Sequence, residues 1–76
     1  MKEILEQIIL ELVDNKEDVN ISEVQGEREL IYKVKVSKND MGKVIGKQGR
    51  IAKAIRTVIR AIAIYEKKRV NVEFID

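Results

Sequence analysis

The spacing of apolar residues changes repeatedly along this chain, and the order of those changes constrains its fold more than any other feature. Residues 4–13 place their apolar side chains on one side of a helix, which predicts an amphipathic helix. Apolar and polar residues then alternate over residues 19–21 and again, more clearly, over residues 30–36. This alternation predicts two strands, the first of them short, joined by a turn near Gly26.

The second half of the chain predicts two more helices and a closing strand. Ser37 and Asp40 have the spacing of a capping box, so a short helix is expected to begin there and to run to about Ile45. Two glycines interrupt it, a longer helix is expected over residues 50–65, and alternation over residues 70–74 predicts the last strand. The order α-β-β-α-α-β predicts an α+β fold in which three helices cover one face of a three-stranded sheet.

The composition excludes several classes of protein. The 76 residues include no Cys and no His, which excludes thiol nucleophiles, disulfides, Ser-His-Asp triads and the usual zinc, haem and iron–sulfur ligands. The longest uninterrupted apolar run, residues 61–65, is far shorter than the ~20 residues of a membrane span. Glu3 and Glu6 argue against a secretory signal. Because no linker or repeat divides the chain, we expect residues 1–76 to form one domain. From the exclusions above we expect this domain to be soluble and cytoplasmic, with no cofactor and no metal.

Charge is divided unevenly along the chain. Residues 1–29 carry a net charge of −6 and residues 30–76 carry +8, although the chain as a whole carries only +2. Residues 38–60 hold seven bases, and Asp40 is the only acid among them. A basic half on a nearly neutral chain is typical of a surface that faces an anion such as nucleic acid. A solvated charged surface without a partner is the alternative, and composition alone does not separate the two.

The four residues between the two C-terminal helices form a turn that begins and ends with glycine: Gly46, Lys47, Gln48 and Gly49. Glycine has no Cβ and accepts positive φ, so such a turn can be tight and a bulky partner can approach its backbone. The turn leads into the start of the long helix, where free N–H groups and the helix dipole favour an anion. Lys47 and Arg50 add positive charge there, which predicts a site for a phosphodiester backbone. Alternatively, the glycines serve only the geometry of a helix corner.

The run from Val44 to Arg50 resembles the V-I-G-x-x-G signature of the KH domain, with polar residues at both variable positions and a base after them. The order of elements matches the type II, prokaryotic form of this fold, whose three-stranded sheet is mixed. The length of the chain and residues 45–56 are similar to those of small bacterial proteins that consist of a single KH domain. This resemblance implies a shallow cleft that takes about four nucleotides of single-stranded RNA, clamped at their backbone by the GxxG loop.

The resemblance also implies a role for individual residues. The phosphates are expected to be held by the four loop residues Gly46, Lys47, Gln48 and Gly49. Arg50 and Lys53 extend the positive track, while Ile45 and the edge of the 30–36 strand line an apolar floor under the bases. Ala52 departs from the family pattern, which often has a large aliphatic residue there, so the groove wall is expected to differ at that position. The cleft needs no aromatic stacking platform, and Tyr32 and Phe74 fall in phase with buried strand positions.

The long helix offers a candidate partner surface. Its apolar side chains cover an arc of roughly 200°, wider than the ~100° that packs on one sheet. Neighbouring helices on both flanks would explain this width. The alternative is a self-association surface that uses Ala61 and Ile64, with Ile59 as a further candidate. The resemblance favours association, because the single-KH family forms homodimers and also pairs with a second KH-containing protein.

Three classes of function follow from these observations. The first is a single-stranded RNA-binding module, a post-transcriptional regulator or RNA chaperone, that works as a dimer or with the second KH protein. The second is a protein-interaction module on a KH scaffold with little RNA binding. The third, an enzyme, is rejected, since the predicted topology scatters Asp40, Glu66 and Glu73 and so offers no paired acid and base.

Overall fold

A computed structural model of the chain describes residues 1–75; of the domain expected over residues 1–76, only Asp76 lies outside the described residues. The helices and strands follow the order α-β-β-α-α-β, as the sequence predicts. Their bounds are α1 (Lys2–Leu12), β1 (Asn20–Gln25), β2 (Leu30–Lys35), α2 (Met41–Ile45), α3 (Arg50–Tyr65) and β3 (Val70–Ile75). The long helix begins and ends at the predicted residues, whereas β1 is as long as β2 although the alternation predicts a shorter strand.

The three strands form one mixed sheet with the order β1-β2-β3. β1 and β2 are antiparallel and form a hairpin that closes at the pair Gln25 and Leu30. β2 and β3 run parallel, from the pair Leu30 and Val70 to the pair Lys35 and Ile75. A parallel pair needs a long crossover connection, which α2 and α3 provide. The fold is therefore α+β with the type II KH topology, and β2 is its central strand.

The hydrophobic core lies between the sheet and the helices. Tyr32 and Val34 of β2 are buried on the same side of the sheet as Val72 of β3. The helices cover that side with fully or almost fully buried side chains: Leu5, Ile9, Val44, Ile55 and Ile59. Tyr32 is thus a core residue, as predicted, and burial raises the pKa of its hydroxyl. Among the described residues, no helix has the length and the apolar content that crossing a bilayer requires.

The segment between β2 and α2 differs from its prediction. Residues Lys38–Asp40 form a short 3₁₀ turn, and the α-helix begins only at Met41. The Ser37 hydroxyl accepts a hydrogen bond from the Asn39 N–H at 3.3 Å, so Ser37 does cap the turn. The Asp40 carboxylate does not bond back to Ser37 as a capping box requires. It turns into the protein instead, because the amide groups of a distant segment bind it there.

Candidate nucleic-acid interface

The GxxG loop, residues 46–49, lies at the surface between two helices that are anchored in the core. Val44 fixes α2 in the core and is fully buried, while Ile55 fixes the first half of α3 and is 4% exposed. The loop itself contains only residues that are exposed or half-buried. It is therefore a surface turn whose two ends are held by the core.

The backbone of the loop adopts an uncommon conformation over three consecutive residues. Lys47, Gln48 and Gly49 have φ values of 51°, 61° and 85°. Two hydrogen bonds close the turn, from the Gly49 N–H to the Gly46 carbonyl at 3.0 Å and from the Arg50 N–H to the Lys47 carbonyl at 3.3 Å. A left-handed conformation costs a residue other than glycine ~1–2 kcal/mol. Strain of this kind is common where a protein clamps a ligand.

The two glycines of the loop have different reasons to be glycine. A Cβ on Gly46 would lie 2.8 Å from the Ile51 side chain and 2.9 Å from the Gly42 carbonyl oxygen, so this position is filled by the protein's own packing. A Cβ on Gly49 would meet nothing within 4 Å, and its φ of +85° is the one that favours glycine. The helix-corner interpretation is therefore correct for Gly46, while Gly49 leaves bare backbone facing open space.

The start of α3 offers N–H groups next to this bare backbone. Gly49 is the residue that precedes the helix, no side chain caps it, and no acidic residue lies in the first turn. The Arg50 N–H is bonded to the Lys47 carbonyl and the Lys53 N–H to the Gly49 carbonyl at 2.9 Å, so the N–H groups of Ile51 and Ala52 are those left for a ligand. The free N–H groups of a first helical turn and the partial positive charge of the helix dipole together attract anions. Open space at Gly49 gives an anion access to them.

The basic residues near the loop fall into two groups. Lys47, Arg50 and Lys53 are exposed, and within residues 1–75 none of the three forms an ion pair. Lys43, one turn before the loop, instead pairs with the carboxylates of Asp14 and Asp40. Hydrogen bonding to Asp14 raises the pKa of Lys43. Lys43 thus stays charged, but its charge is balanced by the protein, whereas the other three can balance the charge of a ligand.

The residues expected to form an apolar floor beside the loop differ in their exposure. Ile45 is 37% exposed, as a floor residue should be. The strand 30–36 has no free edge, because β2 lies between β1 and β3. Its continuation, Val36, instead lines a cavity of ≈ 580 Å³ with Lys35, Lys38 and Met41, at the start of α2. Ala52 is 4% exposed and so contributes no exposed wall.

The free edge of the sheet beside α3 belongs to β3, and two arginines link it to the helix. The Arg56 Nε donates to the Val72 carbonyl at 3.0 Å, and its guanidinium lies 5.3 Å from the centroid of the half-buried Phe74 ring. The Arg60 guanidinium donates to the Asn71 side-chain oxygen at 3.4 Å. Sequence reasoning does not assign these arginines to the site. Arg56 and Arg60 lie one turn apart on the polar side of α3, in line with Lys53. This spacing is the sequence signal from which they could have been predicted.

The exposed side of α3 carries two parallel stripes of side chains. We define the basic stripe as Lys53, Thr57, Arg60 and Ile64, and the apolar stripe as Ala54, Val58, Ala61 and Tyr65; all eight are exposed. The spacing of four, three and four residues puts each set on one side of a helix. The expected association residues are therefore separated: Ala61 is in the apolar stripe, Ile64 ends the basic stripe at 75% exposure, and Ile59 is fully buried in the core. Ile59 has no surface to offer, which corrects that expectation.

Comparison with known proteins gives a consistent result over the whole chain. The family model described as KhpA/KhpB, KH domain, matches residues 2–74. A protein of Clostridium perfringens named RNA-binding protein KhpA is 63% identical over 75 residues, covering 99% of this chain and all of the relative. Proteins with the same name from Clostridium acetobutylicum and Listeria monocytogenes are 61% and 49% identical, with 99% and 100% of this chain covered and the relatives covered completely. With its fold and its GxxG loop, the chain belongs to the KhpA/KhpB family of KH domains.

Proposed function

We propose that this protein binds single-stranded RNA and that its GxxG loop clamps the phosphate backbone of about four nucleotides. One observation carries the proposal: a left-handed run of backbone ends at the bare Gly49, directly before the uncapped start of α3. The names of the relatives, which are RNA-binding proteins, support it.

The loop would hold the RNA through its backbone and through mobile positive charge. A phosphate that approaches over Gly49 reaches the N–H groups of the first turn of α3. Lys47 and Arg50 lie on either side of that position in the chain, and Lys53 follows one turn later. All of these contacts are to phosphate, so they position the strand without reading its sequence. We therefore expect binding that tolerates many sequences and weakens steeply with salt.

The bases would lie on the apolar surface beside the loop. Ile45 is exposed next to it, and the cavity at Val36 and Met41 continues that surface to the other end of α2. Only 4% of the residues are aromatic, and Tyr32 is buried. Packing of bases on aliphatic side chains, rather than stacking on aromatic rings, fits this composition.

One such cleft contacts few nucleotides, so we propose that the protein acts in pairs. The apolar stripe of α3 is uncharged and would fit the same stripe of a second copy across a two-fold axis. Two linked clefts raise the overall affinity through effective concentration. We propose the same surface for a heterodimer with KhpB, also called Jag, and a role in the cytoplasm as an RNA chaperone or post-transcriptional regulator.

A second function is favoured by the same stripe. Val58 is 44% exposed and Tyr65 is 89% exposed on one side of α3, which is a large apolar surface for a chain of this size. A protein-interaction module with little RNA binding would also use it. The two functions differ in their dependence on the GxxG loop, which only the first requires.

The double variant Lys47→Asp with Gln48→Asp distinguishes RNA binding from a protein-interaction function. Two carboxylates in the loop would repel phosphate, so we expect binding of a short single-stranded RNA to be lost at both of two salt concentrations, while circular dichroism shows the same helix content. The matched control is Gln25→Asp with Lys68→Asp, which changes the net charge equally at the opposite end of the sheet. The proposal is wrong if the loop variant binds RNA as the unaltered protein does.

A further inference from the structure

Asp40 is the one buried charged residue in the described part of the chain, with 1% of its surface exposed. A buried carboxylate is costly unless hydrogen bonds compensate its charge. Every buried polar side-chain atom within residues 1–75 has a partner, so this carboxylate is fully accommodated. A residue of this kind in a small protein needs a structural or functional reason.

The partners of Asp40 come mainly from a distant part of the chain. Its Oδ2 accepts hydrogen bonds from the Asn15 backbone N–H at 2.9 Å and from the Asn15 side-chain amide at 3.1 Å. Its Oδ1 accepts from the Asp14 backbone N–H at 3.2 Å and lies 3.5 Å from the Lys43 Nζ. Asp14 and Asn15 follow the end of α1, so the carboxylate joins that end to the start of α2.

The end of α1 is itself well fixed. The Lys16 ammonium donates to the carbonyls of Leu10 and Val13 at 2.9 and 3.1 Å, and Val13 is buried. Asp40 therefore connects α2 to a rigid segment rather than to a loose one. We define this set of contacts, made by Asp40 with Asp14, Asn15 and Lys43, as the tether.

The tether acts on a short helix that is anchored in the core mainly through Val44. α2 has only five residues, Met41–Ile45, and of these only Val44 is fully buried. At its far end the Gly46 N–H bonds to the Gly42 carbonyl at 2.7 Å, so the first residue of the GxxG loop is attached to this helix. A change in the direction of α2 would move the loop and the Ile45 side chain together.

We propose that Asp40 is a positioning residue, which holds α2 against the end of α1 and thereby places the GxxG loop for the RNA backbone. The RNA part of this inference depends on the function proposed above; the placement of the loop does not. With 1% of its surface exposed, Asp40 has no surface to offer to a ligand. Its effect on RNA passes through the five residues of α2.

The test compares Asp40→Asn with Val70→Ala in the full chain. The Asp40→Asn change keeps the size of the side chain but removes its charge and presents an N–H₂ group to N–H donors. Val70 lies in the core at the opposite end of the sheet from α2, so its truncation lowers stability without touching the tether. Asn15→Ala is a milder variant, since it removes one of the contacts and leaves the carboxylate bound by the others.

Two measurements are made on each variant at a temperature where circular dichroism shows it folded. Hydrogen exchange of the Gly46 and Gly49 amides reports the placement of the loop, and titration with a short single-stranded RNA of random sequence reports its use. Asp40→Asn is expected to speed the exchange of both amides and to weaken binding roughly tenfold, as small misplacements of positioned groups do. Asn15→Ala should change the amide exchange and the RNA affinity in the same direction but by less. Val70→Ala should change neither the exchange nor the affinity.

The inference is overturned if Asp40→Asn leaves the exchange of Gly46 and Gly49 unchanged, or if Val70→Ala alters it as much. If Asp40→Asn does not fold, Asn15→Ala decides by the same two measurements. An unaltered protein that fails to bind RNA would disprove the function proposed above, while the exchange measurement would still decide the role of the tether.

Discussion

The basic stripe and the apolar stripe of α3 are displaced from each other by one residue along the chain, and they differ in charge and in polarity. The basic stripe lies on the side of β3, where Arg60 contacts Asn71, and continues the charge of the GxxG loop along the helix. The apolar stripe lies about 100° away and holds no charged side chain. Each stripe runs nearly the length of the helix.

This difference explains why the helix has so wide an apolar arc. Its core side, with Ile55 and Ile59, accounts for the part that packs on the sheet. The remainder is exposed as the apolar stripe, so neighbouring helices do not cover both flanks. The RNA and the protein partner proposed above would then contact α3 on separate surfaces.

The largest effect is expected for Val58→Asp. A carboxylate in the middle of the apolar stripe would be buried in the interface between two copies, so association should weaken at least ~100-fold. Sedimentation velocity over a range of concentrations measures this. The matched control is Thr57→Asp, which adds the same charge on the basic stripe; it should leave association intact and weaken RNA binding. Equal loss of association in both variants would show that the two stripes do not act separately.

The next largest effect is expected for Lys53→Ala. Loss of one phosphate contact should weaken RNA binding by roughly fivefold and reduce the slope of log affinity against log salt by about one. Lys43→Ala is the control for the slope alone, because the charge of Lys43 is already balanced by Asp14 and Asp40, while its loss from the tether is expected to lower the affinity. In titrations at several salt concentrations, Lys43→Ala should show the same slope of log affinity against log salt as the unaltered protein. A slope changed equally by both variants would contradict the division of the bases into paired and unpaired groups.

A smaller effect is expected for Ile64→Asp. Ile64 ends the basic stripe and is 75% exposed, so it would lie at the rim of an interface centred on Val58. Rim residues contribute little to affinity, and association should weaken by no more than ~10-fold. The same sedimentation assay measures this. If Ile64→Asp dissociates the dimer more completely than Val58→Asp, the interface is centred on the basic stripe instead.

The smallest effect is expected from pH. The chain has no His, the side chain whose charge ordinarily changes near neutral pH. The hydrogen bond from the Asn15 backbone N–H, with smaller contributions from Asp14 and Lys43, lowers the pKa of Asp40. A carboxylate with a lowered pKa stabilises the fold above its unfolded value and loses this effect as the pH falls through its folded value. RNA affinity and association should therefore stay constant from about pH 8 to about pH 5, and the free energy of unfolding should fall only below about pH 4.

Urea unfolding at several pH values, together with RNA titrations, checks this expectation. Asp40→Asn provides the control, because it removes the group to which the acid-dependent part of the stability is assigned. A clear fall in stability between pH 8 and pH 5 would show that another group dominates.

The sequence predicts those parts of the fold that depend on local patterns. The bounds of α3 are correct because its periodicity is long and regular, and Tyr32 is a core residue because the strand alternates clearly. β1 is longer than its alternation suggests, since its pairing with β2, rather than its own pattern, determines its length.

The parts that could not be predicted depend on contacts between distant residues. Asp40 has the spacing of a capping residue, and nothing local shows that it binds Asp14 and Asn15 instead. The position of β2 in the centre of the sheet depends on the crossover to β3, so the pattern of residues 30–36 does not show that both edges of this strand are paired. For the same reason the sequence identifies the GxxG loop but does not show that Gly46 is filled by Ile51 while Gly49 is open.

The uncapped start of α3 has a practical consequence for the choice of buffer. A site built from free amide groups binds small oxyanions as well as the RNA backbone. Phosphate or sulfate in solution should compete for it, whereas chloride at the same ionic strength should compete less. Affinities measured in the two kinds of buffer are then expected to differ, and that difference is itself a measure of how much of the binding energy comes from the helix end.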